Sequence, residues 1–154
     1  MNGILECEKT RKTSLSYLTR LKALVTAYFC GSAADLGTPT DVRVSDCTKS
    51  PCILKKNTNV SIEVDFTATA DVQTVKDAVY GIIAGIHVPF PTSQPDACKD
   101  KGLTCPLKKG QKYTYKSVIP ISSTYPDIQL VVEYTIKNED KKPVFCIDIP
   151  AMIQ

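Results

Sequence analysis

Apolar and polar residues alternate with a period of two over several short stretches of this chain. Across residues 59–66, Val60, Ile62, Val64 and Phe66 fall on one side, and Ser61, Glu63 and Asp65 fall on the other. Successive side chains of a strand point to opposite faces, so this spacing predicts a half-buried strand. Residues 111–119 set Tyr113, Tyr115 and Ile119 against Lys112 and Lys116. Residues 128–136 set Ile128, Leu130, Val132, Tyr134 and Ile136 against Gln129, Glu133 and Thr135. Phe145, Ile147, Ile149, Ala151 and Ile153 share one face of a last strand. Residues 72–88 are more continuously apolar, and Gly81 and Gly85 predict a bend or turn among them. Turn-forming clusters separate these runs at 37–40, 89–95, 108–110, 125–127 and 138–142. Short strands at such intervals predict an all-β fold, an immunoglobulin-like antiparallel β-sandwich, with residues 28–154 as one domain.

Composition agrees with a globular protein: 43% of the 154 residues are hydrophobic and 23% are charged. No apolar run reaches the ~18 residues of a membrane-spanning helix. The net charge of +3 sits entirely in residues 1–27, which hold five of the 19 basic residues and two of the 16 acidic ones. The neutral remainder has no electrostatic footprint for nucleic acid. The basic stretch 9–22, the apolar stretch 21–29, and Val25 and Ala27 at the −3 and −1 positions read as a secretory leader. The competing reading is an amphipathic helix with Leu15, Leu18, Leu21 and Val25 near one face.

Beyond that leader, with its Cys7, six cysteines remain: Cys30, Cys47, Cys52, Cys98, Cys105 and Cys146. An even count fits an oxidising compartment, and connectivity stays open because six cysteines allow about 15 pairings. Cys47 with Cys52 and Cys98 with Cys105 suit small loops. Cys30 with Cys146 would then join the domain's ends and remove roughly 4–5 kcal/mol of unfolded-state entropy. No C-x-x-C or neighbouring histidine marks a metal site.

Candidate catalytic chemistry is sparse. His87 is the single histidine, set among apolar residues, and it reads as a structural or partly exposed strand residue. No acidic pair, phosphate-binding glycine loop or nucleophile–base arrangement is evident, so the chain reads as a non-enzyme without cofactor. The apolar faces allow two interiors: a filled core, or a dry cavity that accepts an apolar guest. Periodicity does not separate them.

Several motifs occur in order around the six cysteines. They include Tyr28-Phe29-Cys30-Gly31-Ser32, Gly85-Ile86-His87-Val88-Pro89-Phe90-Pro91, Cys105-Pro106-Leu107, Ile119-Pro120-Ile121, Tyr125-Pro126 and Phe145-Cys146-Ile147-Asp148-Ile149-Pro150. Over residues 28–154 this series resembles the ML lipid-recognition family, with the group-two mite allergens as more distant relatives. The resemblance implies bridges Cys30–Cys146, Cys47–Cys52 and Cys98–Cys105, and a lipid held in a hydrophobic cavity between two sheets. It implies Phe90 at the pocket mouth, flanked by Pro120, Ile121 and Tyr125. Implied lining comes from Leu54, Val60, Ile62, Val64 and Phe66 on one side. Val79, Ile83, Val88, Leu130, Val132, Tyr134, Ile147 and Ile149 complete it. Gly81, Ala84 and Leu107 fall near the apolar surface around the opening. Tyr134 and Ile147 stand where sterol-binding members often carry tryptophan, and Val60 stands where an aromatic is usual, so the resemblance implies a reshaped cavity.

The expectation is a secreted or lysosomal carrier, monomeric, that binds a sterol or fatty-acid-like lipid and hands it to a membrane or a membrane-protein receptor. Alternatives are a microbial-lipid sensor using Lys108, Lys109 and Lys112, a semiochemical carrier, and an adhesion module with a filled core. Asn59-Val60-Ser61 is a glycosylation sequon, usable in a secreted chain.

Overall fold

Two-residue alternation becomes two opposed sheets whose apolar faces meet. A computed structural model describes residues 27–154 apart from 33, 91, 93 and 94. The expected leader, except Ala27, and Cys7 lie outside the described residues. The strands are β1 (Tyr28–Phe29), β2 (Gly37–Val44), β3 (Cys52–Leu54), β4 (Thr58–Ala68), β5 (Lys76–Ile83), β6 (Ile86–Phe90), β7 (Lys112–Ile121), β8 (Ile128–Lys137) and β9 (Pro143–Ile153). The smaller sheet runs β2-β4-β7. The larger runs β9-β8-β5-β6, with β1 and β3 both on the outer edge of β9. All pairings are antiparallel except β3 with β9.

Two expectations change. Residues 37–40 are not a turn but the first half of β2, where Gly37, Thr38 and Pro39 pair with Ala68, Thr67 and Phe66. Proline is tolerated there because β2 is an edge strand and its register shifts between Pro39 and Asp41. Residues 72–88 fold as a hairpin that turns at Ala84 and Gly85, with φ of 50° and 81°. Two positive φ values in a two-residue turn suit the right-handed twist of the flanking strands. Gly81, by contrast, lies mid-strand opposite Val88 and Val132.

Ala84 carries a backbone conformation that asparagine adopts more readily. Ala84→Asn is expected to raise unfolding free energy by about 0.5–1 kcal/mol, read from the urea midpoint.

The interior is filled unevenly. Phe66, Tyr115, Tyr134 and Phe145 are all but inaccessible to solvent and form one aromatic cluster. Phe66 meets Phe145 at 5.4 Å between ring centroids, and Tyr115 meets both Tyr134 and Phe145 at 5.9 Å. These edge-on contacts close one part of the inter-sheet space with large, rigid side chains. The outer face of the small sheet is polar. Arg43 there bonds Asp41, Glu63 and Asp65, and it holds the Asp65 carboxyl below its ordinary range.

Disulfides join Cys47 to Cys52 and Cys98 to Cys105. The Cys30 amide donates to the Cys146 carbonyl at 3.0 Å, and the two sulfurs lie within 4.8 Å. This sets the implied third pair side by side, without an S–S bond between them.

Candidate functional site

Edge strands leave the sandwich open where β7 faces β6. A cleft of about 330 Å³ lies there, with the apolar side chains of Ile62, Val79, Phe90 and Ile119 in its lining. Ser61, Glu63, Thr92, Asp100, Lys101, Lys116, Ser117, Val118 and Pro120 complete it. A second space of about 30 Å³ lies between the sheets, lined by Val44, Cys52, Leu54, Val60, Ile62, Ile119, Ile121, Val132, Tyr134, Ile149 and Ala151. Ile62 and Ile119 line both, so these two side chains form the partition.

The inner space as it stands has room for one or two water-sized groups. Ligand pockets of drug-sized molecules run to ~300–1,000 Å³. Adjoining the cleft, the inner space supplies an apolar floor behind Ile62 and Ile119. A close-packed apolar interior has no reason to stand open when empty, because voids forfeit dispersion contacts.

Phe90 lines the cleft, and its ring meets Tyr125 edge-on at 5.4 Å with an interplanar angle of 84°. Gly81 permits that position: a Cβ there would come within 3.0 Å of both Phe90 and Leu130. Val118 in the cleft lining is 58% exposed, and Ile86 at 66% and Val88 at 42% are exposed on β6, the strand that ends at Phe90.

The structure sorts the implied lining by depth. Phe90, Pro120, Ile62 and Val79 line the cleft, and Leu54, Val60, Ile121, Val132, Tyr134 and Ile149 line the inner space with Ile62. Tyr125 touches Phe90 rather than either space. Val64, Phe66 and Ile147 face inward but lie outside both linings, where the aromatic cluster fills the interior. Leu130 is buried beneath Gly81, and Ile83 sits half-buried at the hairpin end of β5. Val88 is on the surface, on β6 at the edge of the larger sheet. Leu107 is fully buried in a bridge to Val72, not at the opening. Ile119, Val44, Cys52 and Ala151 were absent from the sequence-based lining.

A polar cluster adjoins the cleft. Asp77 shares the inward face of β5 with Val79, and its Oδ2 accepts the Tyr115 hydroxyl at 2.7 Å and the Lys101 ammonium. Lys101 also donates to Ser117 Oγ at 3.4 Å. Burial pushes the Tyr115 hydroxyl pKa far up, and the neighbouring Tyr134 and Asp77 push the same way. Burial likewise raises Tyr134 to about 12; the nearby Ser117 and Tyr115 hydroxyls offset part of this without a well-aligned hydrogen bond.

On the outer face of the large sheet, His87 Nε2 lies 3.4 Å from Glu133 and its ring meets Tyr80. Glu133 stands opposite Asp148 in register. With Cys30 and Cys146, these two carboxylates form a group whose possible ligand atoms lie within 4.8 Å of one another. Cys30, Glu133 and the Cys146–Asp148 pair come from three distant segments, which leaves no metal-site spacing motif along the chain.

Burial, and then the like charge of Asp148, raises the Glu133 pKa. A carboxyl whose folded pKa lies above its unfolded one favours folding at low pH and loses that contribution as pH rises through the folded value. Glu133→Gln is therefore expected to raise the melting temperature near neutral pH, with the gain shrinking once acid protonates the parent glutamate. Thermal melts of both proteins near pH 7 and near pH 4 read this directly.

Comparison with known proteins places these features among relatives. The ML domain pattern matches residues 25–153. The chain is 40% identical over 125 residues to the NPC intracellular cholesterol transporter 2 homolog a of Drosophila melanogaster, covering 81% of this chain and 84% of that one. It is 40% identical over 124 residues to NPC intracellular cholesterol transporter 2 of Mus musculus, covering 80% and 81%. Among solved structures, a Niemann-Pick type C2 protein from Japanese carpenter ant superposes with a TM-score of 0.76 at 29% identity, covering 82% of this chain and 97% of that one.

Proposed function

Because the chain belongs to the ML domain family, we propose that it is a lipid carrier, taking one sterol or similar apolar lipid between its sheets and releasing it unchanged. It is not an enzyme. The observation that carries this reading is the cleft beside Phe90, which shares Ile62 and Ile119 with an apolar inter-sheet space. Removing apolar ligand surface from water is worth ~25 cal/mol per Å². A few hundred Å² therefore exceeds the cost of immobilising a small ligand. Entry requires Phe90 and Tyr125 to part and the two isoleucines to change rotamer.

Delivery runs through the exposed Ile86, Val88 and Val118, which meet a membrane or a receptor surface while the cleft empties. The carrier works outside the cytosol, secreted or lysosomal, where Cys30 and Cys146 close the third bridge. Asn59, exposed on β4, is then open to glycosylation. The sensor alternative loses support from position. Lys112 and Ile121 mark opposite ends of β7, about 30 Å apart at strand rise, so Lys108, Lys109 and Lys112 stand far from Tyr125.

The test is transfer of a fluorescent sterol from donor to acceptor vesicles. The expected result is a rate that rises with carrier concentration and falls in Phe90→Ala. A rate equal to that of buffer alone, with no sterol bound, contradicts the carrier reading.

A further inference from the structure

We infer that the cleft, where Lys101 and Ser117 line it, leads to a hydrogen-bonding subsite for a hydroxyl group of the bound lipid, with the buried Asp77, Tyr115 and Tyr134 standing behind those two residues. This rests on the lipid-carrier reading and adds the polar chemistry of the ligand to it. An apolar carrier gains nothing from a buried ion pair, whose desolvation costs several kcal/mol per charge. Yet Lys101 is 8% exposed, Ser117 is 7% exposed, and both line the cleft. Lys101 is held in place by the loop that the Cys98–Cys105 bridge closes, and its carbonyl accepts the Lys116 amide at 2.9 Å. A group fixed this way before binding loses little entropy when a ligand arrives.

The cluster is incomplete in a specific sense. Asp77 Oδ1 and the Tyr134 hydroxyl are buried with no hydrogen-bond partner among the described residues. The first requires a donor, and the second has a proton to give. A hydroxyl both donates and accepts, and it is neutral. An ether or ester oxygen only accepts. A carboxylate only accepts as well, and it adds a second negative charge beside Asp77 with one buried ammonium to balance both. Glu63 and Asp100 in the cleft lining, opposed there by Lys116, strengthen that discrimination. The subsite therefore selects a lipid alcohol over the matching acid or ether.

Displacement of a fluorescent naphthylamine probe by hexadecanol, hexadecyl methyl ether and hexadecanoate near neutral pH tests this. The parent is expected to bind the alcohol about tenfold more tightly than either other compound. Tyr134→Phe and Ser117→Ala, each of which deletes one hydroxyl, are expected to bring the three within about twofold while the melting temperature holds. Equal binding of the three by the parent, tighter binding of hexadecanoate, or a preference that survives both variants would overturn the subsite and leave the carrier. Should Tyr134→Phe fold poorly, Ser117→Ala decides alone. Failure of all three compounds and of cholesterol to displace the probe would overturn the carrier reading, and the subsite with it.

Discussion

Asp77→Ala is expected to cost about 3–5 kcal/mol of stability, the usual penalty for removing one partner of a buried ion pair. Asp77 has a fully buried side chain, and the Lys101 side chain is 9% exposed. Without the carboxylate, the Lys101 ammonium keeps only its 3.4 Å contact to Ser117, and the Tyr115 hydroxyl loses its acceptor. For a domain of this size each kcal/mol moves the midpoint by a few degrees, so a fall of roughly 10–20 °C is expected. The double replacement Asp77→Leu with Lys101→Met removes both charges and retains volume. It is expected to recover most of the loss, because apolar substitutes for a buried pair are often neutral or better. Urea unfolding of parent, single and double variants separates the two cases. A single variant within about 1 kcal/mol of the parent would show that solvent reaches the pair.

Phe90→Ala is expected to weaken cholesterol binding by roughly 10–100-fold while leaving the fold intact. Burying a phenylalanine side chain is worth ~1.5–3 kcal/mol, and that is the contact a ligand forfeits. The stability cost is smaller than for a core phenylalanine, because Phe90 is half-buried at the end of edge strand β6 and its ring partner Tyr125 lies in a loop. Fluorescent-sterol titration alongside a thermal melt measures both halves. Unchanged affinity in a folded variant removes Phe90 from the site.

The strands were legible wherever one face is buried and the other wet. β4, β7, β8 and β9 all follow the two-residue alternation, and their inward faces match the buried positions. The first half of β2 was read as a turn because Gly37 and Pro39 are turn formers in isolation, and its place at a sheet edge makes them admissible. β1 and β3, of two and three residues, are too short to show a period.

Alternation reports a face but not a depth along the strand. Val60, Ile62, Val64 and Phe66 share a face, yet the first two reach the inner space while the last two are sealed against other core residues. That distinction depends on Phe145 and Tyr115 arriving from other strands. Asp77 is the instructive miss. It holds the same parity as Val79, Gly81 and Ile83, so the sequence placed a carboxylate on an inward face. The partner that makes this tolerable, Lys101, comes from a loop whose course no periodicity records.

The central claim is that the space behind Ile62 and Ile119 widens to take a lipid. Purified protein incubated with mixed-lipid vesicles, re-isolated, extracted into organic solvent and analysed by mass spectrometry tests it most directly. The account predicts close to one lipid molecule retained per chain, enriched in alcohols over free acids. Protein that returns from the vesicles with no lipid at all would contradict it.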